Sequence, residues 1–526
     1  MRSMQTICKT LFLVAGLCSL FHKNALAQAG SLDLSFGTGG IVKTNINNGN
    51  DYGYGITQQT DGKILVAGIA RIGTANNNFG VMRYELNGVL DTTFGGDGIV
   101  TTDIIPGADD AALSIRLQSD GKIVVGGRSA VSGGTYNFAV TRYLTDGTID
   151  STFNTDGIVT TDIAGFNDYG SSLNIQADGK IVLAGYSYNG TVTSMAVVRY
   201  TTNGYLDTSF DTDGIVTTQV GNLYLDGQAA AIQNDGKIVV TGTTNYTGTG
   251  KDVVVIRYNA DGSLDTSFDT DGIVISDIGY DDFSNSIAIQ NDGKIVIGGS
   301  TLDTSTTSYN RNFLVVRYNI DGSLDNSFGG DGSISTEIVN HVTDRIFGLT
   351  LQNDGKIVAV GHNTNGVNFS IALARYNTDG SLDNGFGNNG VLTTDIATEE
   401  EYGQSVCIQS DGNILITGSV KSGGSFDIFV ARYNGNAPLK IEEYSRSMMY
   451  VYPNPFSFKS NIQTDFMLQN ATMYVYNVYG EKVKEIRNLS GQSISFDREK
   501  LPAGLYIFTL SENNKVVVKG KMLIAD

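Results

Sequence analysis

The chain has 526 residues, which is too long for one ordinary globular core and long enough for two or three domains. Its net charge of -19 at pH 7 would repel phosphate backbones, and this argues against a nucleic acid as partner. Divalent cations, basic surfaces and neutral sugars remain open as partners.

The first 27 residues have the pattern of a secretory signal peptide. Basic residues precede an apolar run at 10–21, and Ala25-Leu26-Ala27 forms a small-residue cleavage site. The run is shorter than the roughly 20 residues of a membrane-spanning helix, and no later stretch approaches that length. We therefore predict a secreted protein without a transmembrane segment. Only Cys407 remains after cleavage, so the mature chain cannot form an internal disulfide.

A repeat of about 58 residues fills positions 28–434, and three markers each occur in it seven times. The Asp-Gly-Lys or Asp-Gly-Asn marker has its aspartate at Asp61, Asp120, Asp178, Asp235, Asp292, Asp354 and Asp411. The Leu/Ile-Asp-x-x-Phe marker has its aspartate at Asp33, Asp91, Asp150, Asp207, Asp265, Asp325 and Asp383. The Arg-Tyr marker has its arginine at Arg83, Arg142, Arg199, Arg257, Arg317, Arg375 and Arg432. Periods of this order are typical of solenoids, propellers and arrays.

Each unit is predicted to form four β-strands. In the fifth unit they fall at 286–290, 294–298, 312–318 and 333–338, where β-branched and apolar residues dominate between Gly, Asn and Asp turns. The third strand is apolar on both alternating faces, so both of its faces must be covered. Sheets stacked around an axis meet this need, and we predict an all-β, seven-bladed β-propeller.

The ends of the array predict how the ring closes. Residues 31–42 match the fourth-strand portion of a unit, whereas the last unit stops after Tyr433, at the end of a third strand. Pairing the N-terminal strand with the last unit would complete the seventh blade and remove an exposed sheet edge.

These repeats resemble a known family. Asp-x-x-Phe-Gly-x-x-Gly-x-Val, Gln-x-Asp-Gly-Lys-Ile-x-x-x-Gly and Phe-x-Val-x-Arg-Tyr are similar to the delta-60 repeat of bacterial propeller proteins, over residues 32–434. The resemblance implies a propeller. It brings no common activity and no catalytic residues.

A linker at 435–447 separates the repeats from a different domain at 448–526. About seven short strands are predicted there, in a small β-sandwich. The segments Tyr452-Pro-Asn-Pro-Phe456, 473–482 and Leu501-Pro-Ala-Gly-Leu-Tyr506 resemble the type A C-terminal sorting domain of the Bacteroidetes type IX secretion system. This resemblance implies export across the outer membrane by the type IX machinery, followed by release or surface attachment.

The repeated arginine alternates onto the apolar face of its strand, so seven guanidinium groups should be partly buried and need partners. We interpret them as a structural ring, in which Arg257 pairs with Asp265 or Asp235 and its counterparts pair likewise. A functional arginine ring is the alternative.

A carboxylate also recurs near the start of each first strand. The set is Asp51, Asp110, Asp168, Asp226, Asp282, Asp344 and Glu401. If first strands line the channel, these groups would ring one mouth and could hold a cation or a basic peptide. Alternatively, each carboxylate caps its own turn by accepting backbone N–H groups.

The connections between second and third strands vary most, and they lie at the same end as these carboxylates. They carry the candidate aromatic contacts Tyr136, Tyr186, Tyr188, Tyr246 and Tyr309. Aromatic faces among Asn and Thr suit sugars or protein surfaces.

Cofactor and catalytic signals are sparse. Turns such as Asp269-Thr-Asp-Gly272 are oxygen-rich and would suit a structural calcium ion, but no complete EF-hand pattern occurs. His341 and His362 show no spacing typical of a zinc site or a triad. The repeat is broken at this mouth only by Glu399-Glu400-Glu401 and by residues 341–345.

The sequence thus predicts a secreted or surface-attached, non-enzymatic propeller that binds a protein or a glycan through its variable acidic face. Two alternatives remain open. One is a polysaccharide lyase or hydrolase acting at the channel mouth, and the other is a calcium-stabilised structural or adhesive module.

Overall fold

The structure is a computed structural model. It describes residues 28–72, 76–131, 134–221, 225–245, 250–302, 310–339, 342–364, 367–397, 399–436, 449–512 and 515–526. The predicted signal peptide and most of the predicted linker lie outside these residues. The chain divides into two units, residues 1–438 and 439–526.

Seven four-stranded antiparallel sheets build the first unit. Its strands are β1 Ile41–Thr44, β2 Tyr52–Gln58, β3 Ile64–Ile72, β4 Asn76–Tyr84, β5 Ile99–Thr102, β6 Asp110–Leu117, β7 Ile123–Ala130, β8 Tyr136–Tyr143, β9 Ile158–Thr161, β10 Asp168–Ile175, β11 Ile181–Tyr188, β12 Thr193–Tyr200, β13 Ile215–Thr218, β14 Leu225–Ile232, β15 Ile238–Thr244, β16 Asp252–Tyr258, β17 Ile273–Ser276, β18 Asp282–Ile289, β19 Ile295–Leu302, β20 Arg311–Tyr318, β21 Ser333–Thr336, β22 Asp344–Leu351, β23 Ile357–Thr364, β24 Phe369–Tyr376, β25 Val391–Thr394, β26 Glu401–Ile408, β27 Ile414–Ser422 and β28 Ser425–Tyr433. The predicted seven-bladed propeller is confirmed. No helix occurs within the described residues.

The ring closes as the sequence predicts. β1 pairs antiparallel with β28, with Ile41 opposite Ala431 and Thr44 opposite Ile428. The seventh sheet therefore has the order β1-β28-β27-β26 and contains both ends of the repeat array. In this way no third strand of the ring keeps a free edge in the described residues.

The cores lie between neighbouring blades. One core cluster joins Val182 and Val197 of the third blade to Val240 and Val254 of the fourth. All four side chains are 0% exposed. A strand that is apolar on both faces is stabilised only when a blade covers each face, which explains the continuous apolar third strands.

Each repeated arginine joins its own blade to the next one. Arg257 Nε donates to Asp265 Oδ2 at 2.7 Å, and Arg257 Nη1 donates to the carbonyl of Ile320 in the fifth blade at 2.5 Å. The guanidinium also lies 4.5 Å from the ring centroid of Phe268. All seven arginines make the Nε bond, at 2.6–2.8 Å.

The partner is Asp265 and not Asp235, the other residue that the sequence offered. The Asp-Gly-Lys turn contributes its lysine instead, because Lys237 Nζ lies 2.9 Å from Asp265 Oδ2 and 3.7 Å from Asp235 Oδ2. Burial alone would raise the pKa of Asp265, but the hydrogen bonds from Ser267 and Lys237 and the charge of Arg257 hold it well below 3.8.

The tyrosine that follows each arginine bonds in the opposite direction around the ring. Tyr258 of the fourth blade donates to Thr218 Oγ1 of the third blade at 2.7 Å, and Tyr433 of the seventh donates to Thr394 of the sixth at 2.9 Å. These phenols are buried. The Arg-Tyr pair therefore bonds each blade to both of its neighbours.

A glycine on the second strand sets where the first strand can bulge. A Cβ at Gly185 would lie 1.9 Å from the carbonyl oxygen of Tyr169, so any side chain here would displace the first strand. The register of that strand shifts directly below this contact, between Gly170 and Ser172. The same close approach occurs in all seven blades, at Gly68, Gly127, Gly185, Gly242, Gly299, Gly361 and Gly418.

The second unit contains five described strands instead of the seven predicted. They are β29 Met449–Tyr452, β30 Lys459–Tyr476, β31 Lys482–Asp497, β32 Gly504–Glu512 and β33 Lys515–Ile524. β30 pairs with β29 near its start and with β32 near its end, so one long strand replaces two short ones. Ile462 and Phe508, from the two halves of this sheet, share one buried core.

Candidate functional site

Six of the predicted carboxylates are buried and hold their own connections. Asp110 Oδ2 accepts the backbone N–H of Ile104 at 2.8 Å, and Asp344 Oδ2 accepts that of Ile338 at 2.8 Å. The six are at most 1% exposed, namely Asp51, Asp110, Asp168, Asp282, Asp344 and Glu401. The expectation of an open ring at the mouth is wrong for them, because buried charged groups turn toward backbone donors.

The fourth blade departs from this pattern. Counting back from the glycine pair that both blades share, Leu225 takes the place of Asp168, and Asp226 takes the place of Tyr169. Leu225 is fully buried in the apolar core. The prediction that Asp226 is equivalent to the other six carboxylates is therefore wrong. The signal was in the sequence, since Asp226 precedes its glutamine by seven residues whereas the other six carboxylates precede theirs by eight.

Burial shifts the ionisation of these groups toward neutral pH. It raises the pKa of Asp51 and Asp110 to about 6, and that of Asp344 and Glu401 to about 7. Hydrogen bonds from backbone N–H groups lower these values without offsetting the desolvation. These four carboxyls are thus partly protonated near neutrality, and they add less negative charge to this end than the sequence suggests.

A set of side chains next to these carboxylates, at the same end of the blades, is named the mouth layer. It has three positions in each blade, one for each of the first three strands. The first position follows the buried residue on the first strand: Tyr52, Ala111, Tyr169, Asp226, Phe283, Arg345 and Tyr402. The second lies opposite it on the second strand: Ile69, Arg128, Tyr186, Thr243, Ser300, His362 and Ser419. The third lies within one residue of the start of the third strand: Asn77, Tyr136, Thr193, Lys251, Arg311, Phe369 and Phe426.

The mouth layer is where the blades differ. The adjoining glycine on the second strand is the same in all seven blades, whereas each mouth-layer position holds apolar, aromatic, polar or charged residues in different blades. The layer borders the central channel, since Tyr52 contacts Tyr54 and His362 stacks on Phe347. Tyr54 and Phe347 line a channel cavity of about 590 Å³ formed by the first strands of all seven blades.

Aromatic rings form a continuous arc across blades six, seven and one. Within it His362 lies 4.8 Å from Phe369 and 5.1 Å from Tyr402, measured between ring centroids. Tyr402 lies 6.0 Å from Phe426, which in turn lies 5.2 Å from Tyr52. Each contact joins neighbouring positions of the layer, and two of the four cross a blade boundary, so the rings pack on one another along the arc.

Two of the predicted aromatic contacts, Tyr136 and Tyr186, pack on the same ring. Tyr169 lies 5.5 Å from Tyr136 and 4.8 Å from Tyr186, and Arg128 stands 4.8 Å above Tyr169. Both predicted tyrosines are half-buried.

The remaining predicted aromatics are separate from this cluster. Tyr188 contacts the exposed Phe166 at 5.9 Å. Tyr246 and Tyr309 lie outside the described residues. Sequence reasoning missed Tyr52, Phe369, Tyr402 and Phe426, because they lie on strands and not in the variable connections.

Cations gather on blades four to six. Lys251 Nζ and the Arg311 guanidinium lie 4.6 Å and 4.4 Å from the ring centroid of Phe283. Arg311 Nη2 also pairs with Asp281 Oδ2 at 3.1 Å. The mouth layer contains four cationic side chains, those of Arg128, Lys251, Arg311 and Arg345, and one carboxylate, that of Asp226. Within the mouth layer cations and aromatic rings therefore outnumber carboxylates, whereas the acidic character of the variable face as a whole stays a prediction.

Arg345 has no hydrogen bond or ion pair to another side chain within the described part of the chain, and it is exposed. Partial desolvation and the positive charge of Arg311 lower the pKa of Arg345. His362, beside it, is 5% exposed, and its Nδ1 is buried without a hydrogen-bond partner. Burial, with a smaller effect from Arg345, lowers the pKa of His362 to about 3, so this imidazole is neutral at pH 7.

The oxygen-rich turns considered for calcium use their aspartates locally. Asp271 Oδ1 accepts the N–H of Ile273 at 2.9 Å, and Asp261 Oδ1 accepts the N–H of Ser263 at 3.0 Å. Among the described residues no group of three or more His, Cys, Asp or Glu side chains is arranged to hold a metal ion.

The acidic run that breaks the repeat is tied to its surroundings. Glu400 Oε2 accepts the hydroxyl of Tyr402 at 2.8 Å, and Lys421 Nζ lies 3.7 Å from Glu400 and 4.0 Å from Glu399. Glu401 is one of the buried caps. Cys407 is half-buried on a first strand, and burial raises the pKa of its thiol. His341 lies outside the described residues.

Comparison with protein families identifies both units. A β-propeller family described as a domain of unknown function (DUF5122) matches residues 59–94, 118–153, 176–210, 233–268, 290–328, 352–386 and 409–436. A family described as the secretion system C-terminal sorting domain matches residues 450–525. The chain is thus an exported propeller of seven repeats.

It carries seven DUF5122 β-propeller repeats and a type IX C-terminal sorting domain. That domain directs export by the type IX system, to the cell surface or the medium. In the described residues no helix is both long and apolar enough to cross a membrane.

Solved structures resemble the chain only distantly, and no curated protein matches it. PorZ, an essential surface component of the type-IX secretion system of Porphyromonas gingivalis, is 10% identical, with a TM-score of 0.39 over 92% of this chain and 60% of that one. An ulvan lyase of a new polysaccharide lyase family, PL25, is 11% identical, with a TM-score of 0.43 over 78% of this chain and 96% of that one. Drosophila Semaphorin 1b is 10% identical, with a TM-score of 0.42 over 77% and 87%. This chain spans 60% of the PorZ structure.

Proposed function

We propose that this protein is a secreted or surface-attached binding protein that captures a glycan or a protein through its mouth layer and catalyses no reaction. The observation that carries the proposal is the position of the sequence variation. Seven near-copies of one unit differ in the side chains around one channel mouth, and many of those side chains are aromatic or cationic. Aromatic residues and arginine supply most of the binding energy at protein surfaces.

The geometry of the layer favours tight binding, because its parts are ordered before a ligand arrives. Asn167 Oδ1 of the third blade accepts the backbone N–H of Tyr136 in the second at 3.0 Å, and Asn50 Oδ1 accepts that of Phe426 at 3.0 Å. Asp281 Oδ1 accepts the N–H of Lys251 at 3.0 Å. Hydrogen bonds across blade boundaries thus fix the start of these third strands, which lowers the entropy lost on binding.

A binding screen with variants at the two ends of the ring tests this proposal. The full chain is presented to a glycan array and to surface proteins, beside Tyr402→Ala and the matched aromatic variant Tyr205→Ala. Tyr205 is 53% exposed and lies in a connection between third and fourth strands, at the opposite end of the blades. Loss of the captured ligand with Tyr402→Ala alone supports the proposal. Equal capture by wild type and both variants contradicts it.

An enzymatic alternative rests on one observation. Tyr402, His362 and Arg345 bring a phenol, an imidazole and a guanidinium together at the mouth, which are groups able to move a proton and stabilise an anion. Against it, burial and the hydrogen bond to Glu400 raise the pKa of Tyr402, and His362 is buried with a pKa of about 3.

An activity assay on acidic polymers distinguishes binding from turnover. Incubation of the full chain with polyuronates and sulfated glycans, followed by reducing ends and by the ultraviolet absorbance of unsaturated uronates, reports hydrolase and lyase activity. Turnover that Tyr402→Phe abolishes would replace the binding proposal. A parallel series with calcium and with a chelator tests the calcium-stabilised alternative, which predicts a large chelator-induced drop in Tm.

A further inference from the structure

We infer that blades four to six of the mouth layer bind an acidic polysaccharide, whose carboxylate or sulfate groups contact Arg345 and Arg311. We call the cluster of Lys251, Phe283, Arg311 and Arg345 the basic arc. The inference rests on the proposed function and names the ligand class for the same surface.

Two guanidinium groups of the basic arc influence each other electrostatically. Arg311 is paired with Asp281 at 3.1 Å, whereas Arg345 has no side-chain ion pair in the described residues, and its pKa is lowered in part by the positive charge of Arg311. Like charges repel, and an anion bound by both guanidinium groups would relieve that repulsion. Guanidinium forks are suited to the planar or tetrahedral oxygens of carboxylate and sulfate.

The positive charge of the basic arc stands out on an acidic protein. The protein carries a net charge of -19, yet the basic arc exposes an arginine without a partner in the described residues. A structural role would place such an arginine beside one of the many carboxylates, as the seven repeated arginines show. At the mouth-layer position of Arg345 the other six blades carry Tyr52, Ala111, Tyr169, Asp226, Phe283 and Tyr402. The arginine is therefore not required by the fold.

Aromatic rings beside the basic arc favour a sugar chain as the ligand. The aromatic arc of His362, Phe369 and Tyr402 begins beside Arg345, so charge recognition and ring faces lie next to each other. Acidic polysaccharides offer both features, because anionic groups alternate with apolar C–H faces that stack on aromatic rings.

Binding of matched polymers to the full chain tests the inference. Dextran sulfate and dextran share a backbone and differ in charge, polygalacturonate supplies carboxylates, and polyglutamate supplies the same charge without sugars. Affinities are measured by biolayer interferometry for wild type, Arg345→Gln and Lys421→Gln. Lys421 is the matched control, since it loses the same charge at the same mouth but is paired with Glu400.

We expect the wild type to bind polygalacturonate or dextran sulfate and not dextran. Loss of one charged hydrogen bond in Arg345→Gln should weaken this binding about tenfold or more, Lys421→Gln should change it less than about twofold, and Arg345→Lys should restore part of it. Equal affinity of wild type and Arg345→Gln, equal binding of dextran, or preferential binding of polyglutamate overturns the inference.

The two failures are distinguishable. If a neutral glycan or a protein binds, and Tyr402→Ala abolishes that binding while Arg345→Gln does not, the acidic-polysaccharide assignment is wrong and the proposed function stands. If neither variant affects any captured ligand, the proposed function fails together with the assignment.

Discussion

Asp33 and Arg432 are separated by 399 residues in the chain, and Arg432 Nε donates to Asp33 Oδ2 at 2.8 Å. The pair joins the two ends of the repeat array and reproduces the Arg257–Asp265 geometry found within a single unit. The seventh blade is therefore bonded to its N-terminal strand by the same contact that the other blades make locally.

This pair predicts the cost of loosening the closure. Asp33→Ala should lower the free energy of unfolding by about 1–3 kcal/mol, because it leaves a buried guanidinium without its carboxylate. Asp265→Ala, the matched change inside the array, should cost the same or slightly more, since Asp33 is the more exposed of the two at 18% against 7%. Urea unfolding measures both. A neutral Asp33→Ala beside a costly Asp265→Ala would show that the N-terminal strand is not part of the ring.

Removing a repeated arginine should be far more damaging than removing an exposed one. Arg257→Met loses the bonds to Asp265 and Ile320 and leaves a buried carboxylate, which typically costs about 3–5 kcal/mol. Arg345 lies in the same propeller, but its side chain is exposed. Arg345→Met should therefore change the free energy of unfolding by no more than about 0.5 kcal/mol. Tm and the cooperativity of melting report both. Equal stability of the two variants would contradict the structural role of the arginine ring.

The interblade tyrosine bond predicts a measurable coupling. Tyr258→Phe removes the hydroxyl that donates to Thr218 Oγ1 and should cost about 1 kcal/mol. In a double-mutant cycle with Thr218→Val, the second change should cost less once the first is present. Strict additivity of the two substitutions would mean that the bond does not link the third and fourth blades.

The buried carboxylates predict an unusual dependence of stability on pH. The pKa of Asp344 is about 7 in the folded protein against an ordinary value of 3.8, so the folded state binds more protons between these pH values. Its contribution to stability is present at low pH and is lost as the pH rises toward 7. The repeated aspartates act oppositely, since their lowered pKa gives stability above about pH 4 that is lost on acidification.

We therefore expect maximum stability in mildly acidic solution. Asp344→Asn keeps an acceptor for the N–H of Ile338 and should be more stable than wild type at about pH 8, by about 1–3 kcal/mol, with an advantage that shrinks as the pH falls and vanishes near pH 4. Leu225, at the same position of the fourth blade, shows that the fold does not need a charge there. Urea unfolding across this range measures the slope, and an unchanged slope in Asp344→Asn would contradict the assignment.

Much of the fold could be predicted from the sequence, because the repeat places the same physical requirement seven times. Strands with two apolar faces need two covering sheets, and the unmatched fourth strand at residues 41–44 needs the edge at Tyr433. The sequence leaves two candidate partners for Arg257, Asp235 and Asp265. Only the structure shows that Asp265 pairs with both Arg257 and Lys237.

The candidate site was less accessible to sequence reasoning. The regular spacing of the carboxylates is visible in the sequence, but the direction in which each side chain points is not. The side chains of Asp110 and Asp344 turn toward backbone N–H groups. The mouth layer is built across blade boundaries, so that Tyr402 meets His362 and Lys251 meets Phe283. A repeat analysis compares equivalent positions. It does not show which non-equivalent positions meet in neighbouring blades.

Hydrogen–deuterium exchange of the full chain, with and without a bound acidic polysaccharide, reports which end of the ring the ligand covers. We expect slower exchange on binding in segments 279–284, 310–312 and 343–347, which carry the mouth layer of blades five and six. Exchange at the opposite end, in the Asp-Gly-Lys turns at 290–294 and 352–356, should be unchanged. Protection confined to those turns or to residues 449–526 would rule out binding at the mouth layer.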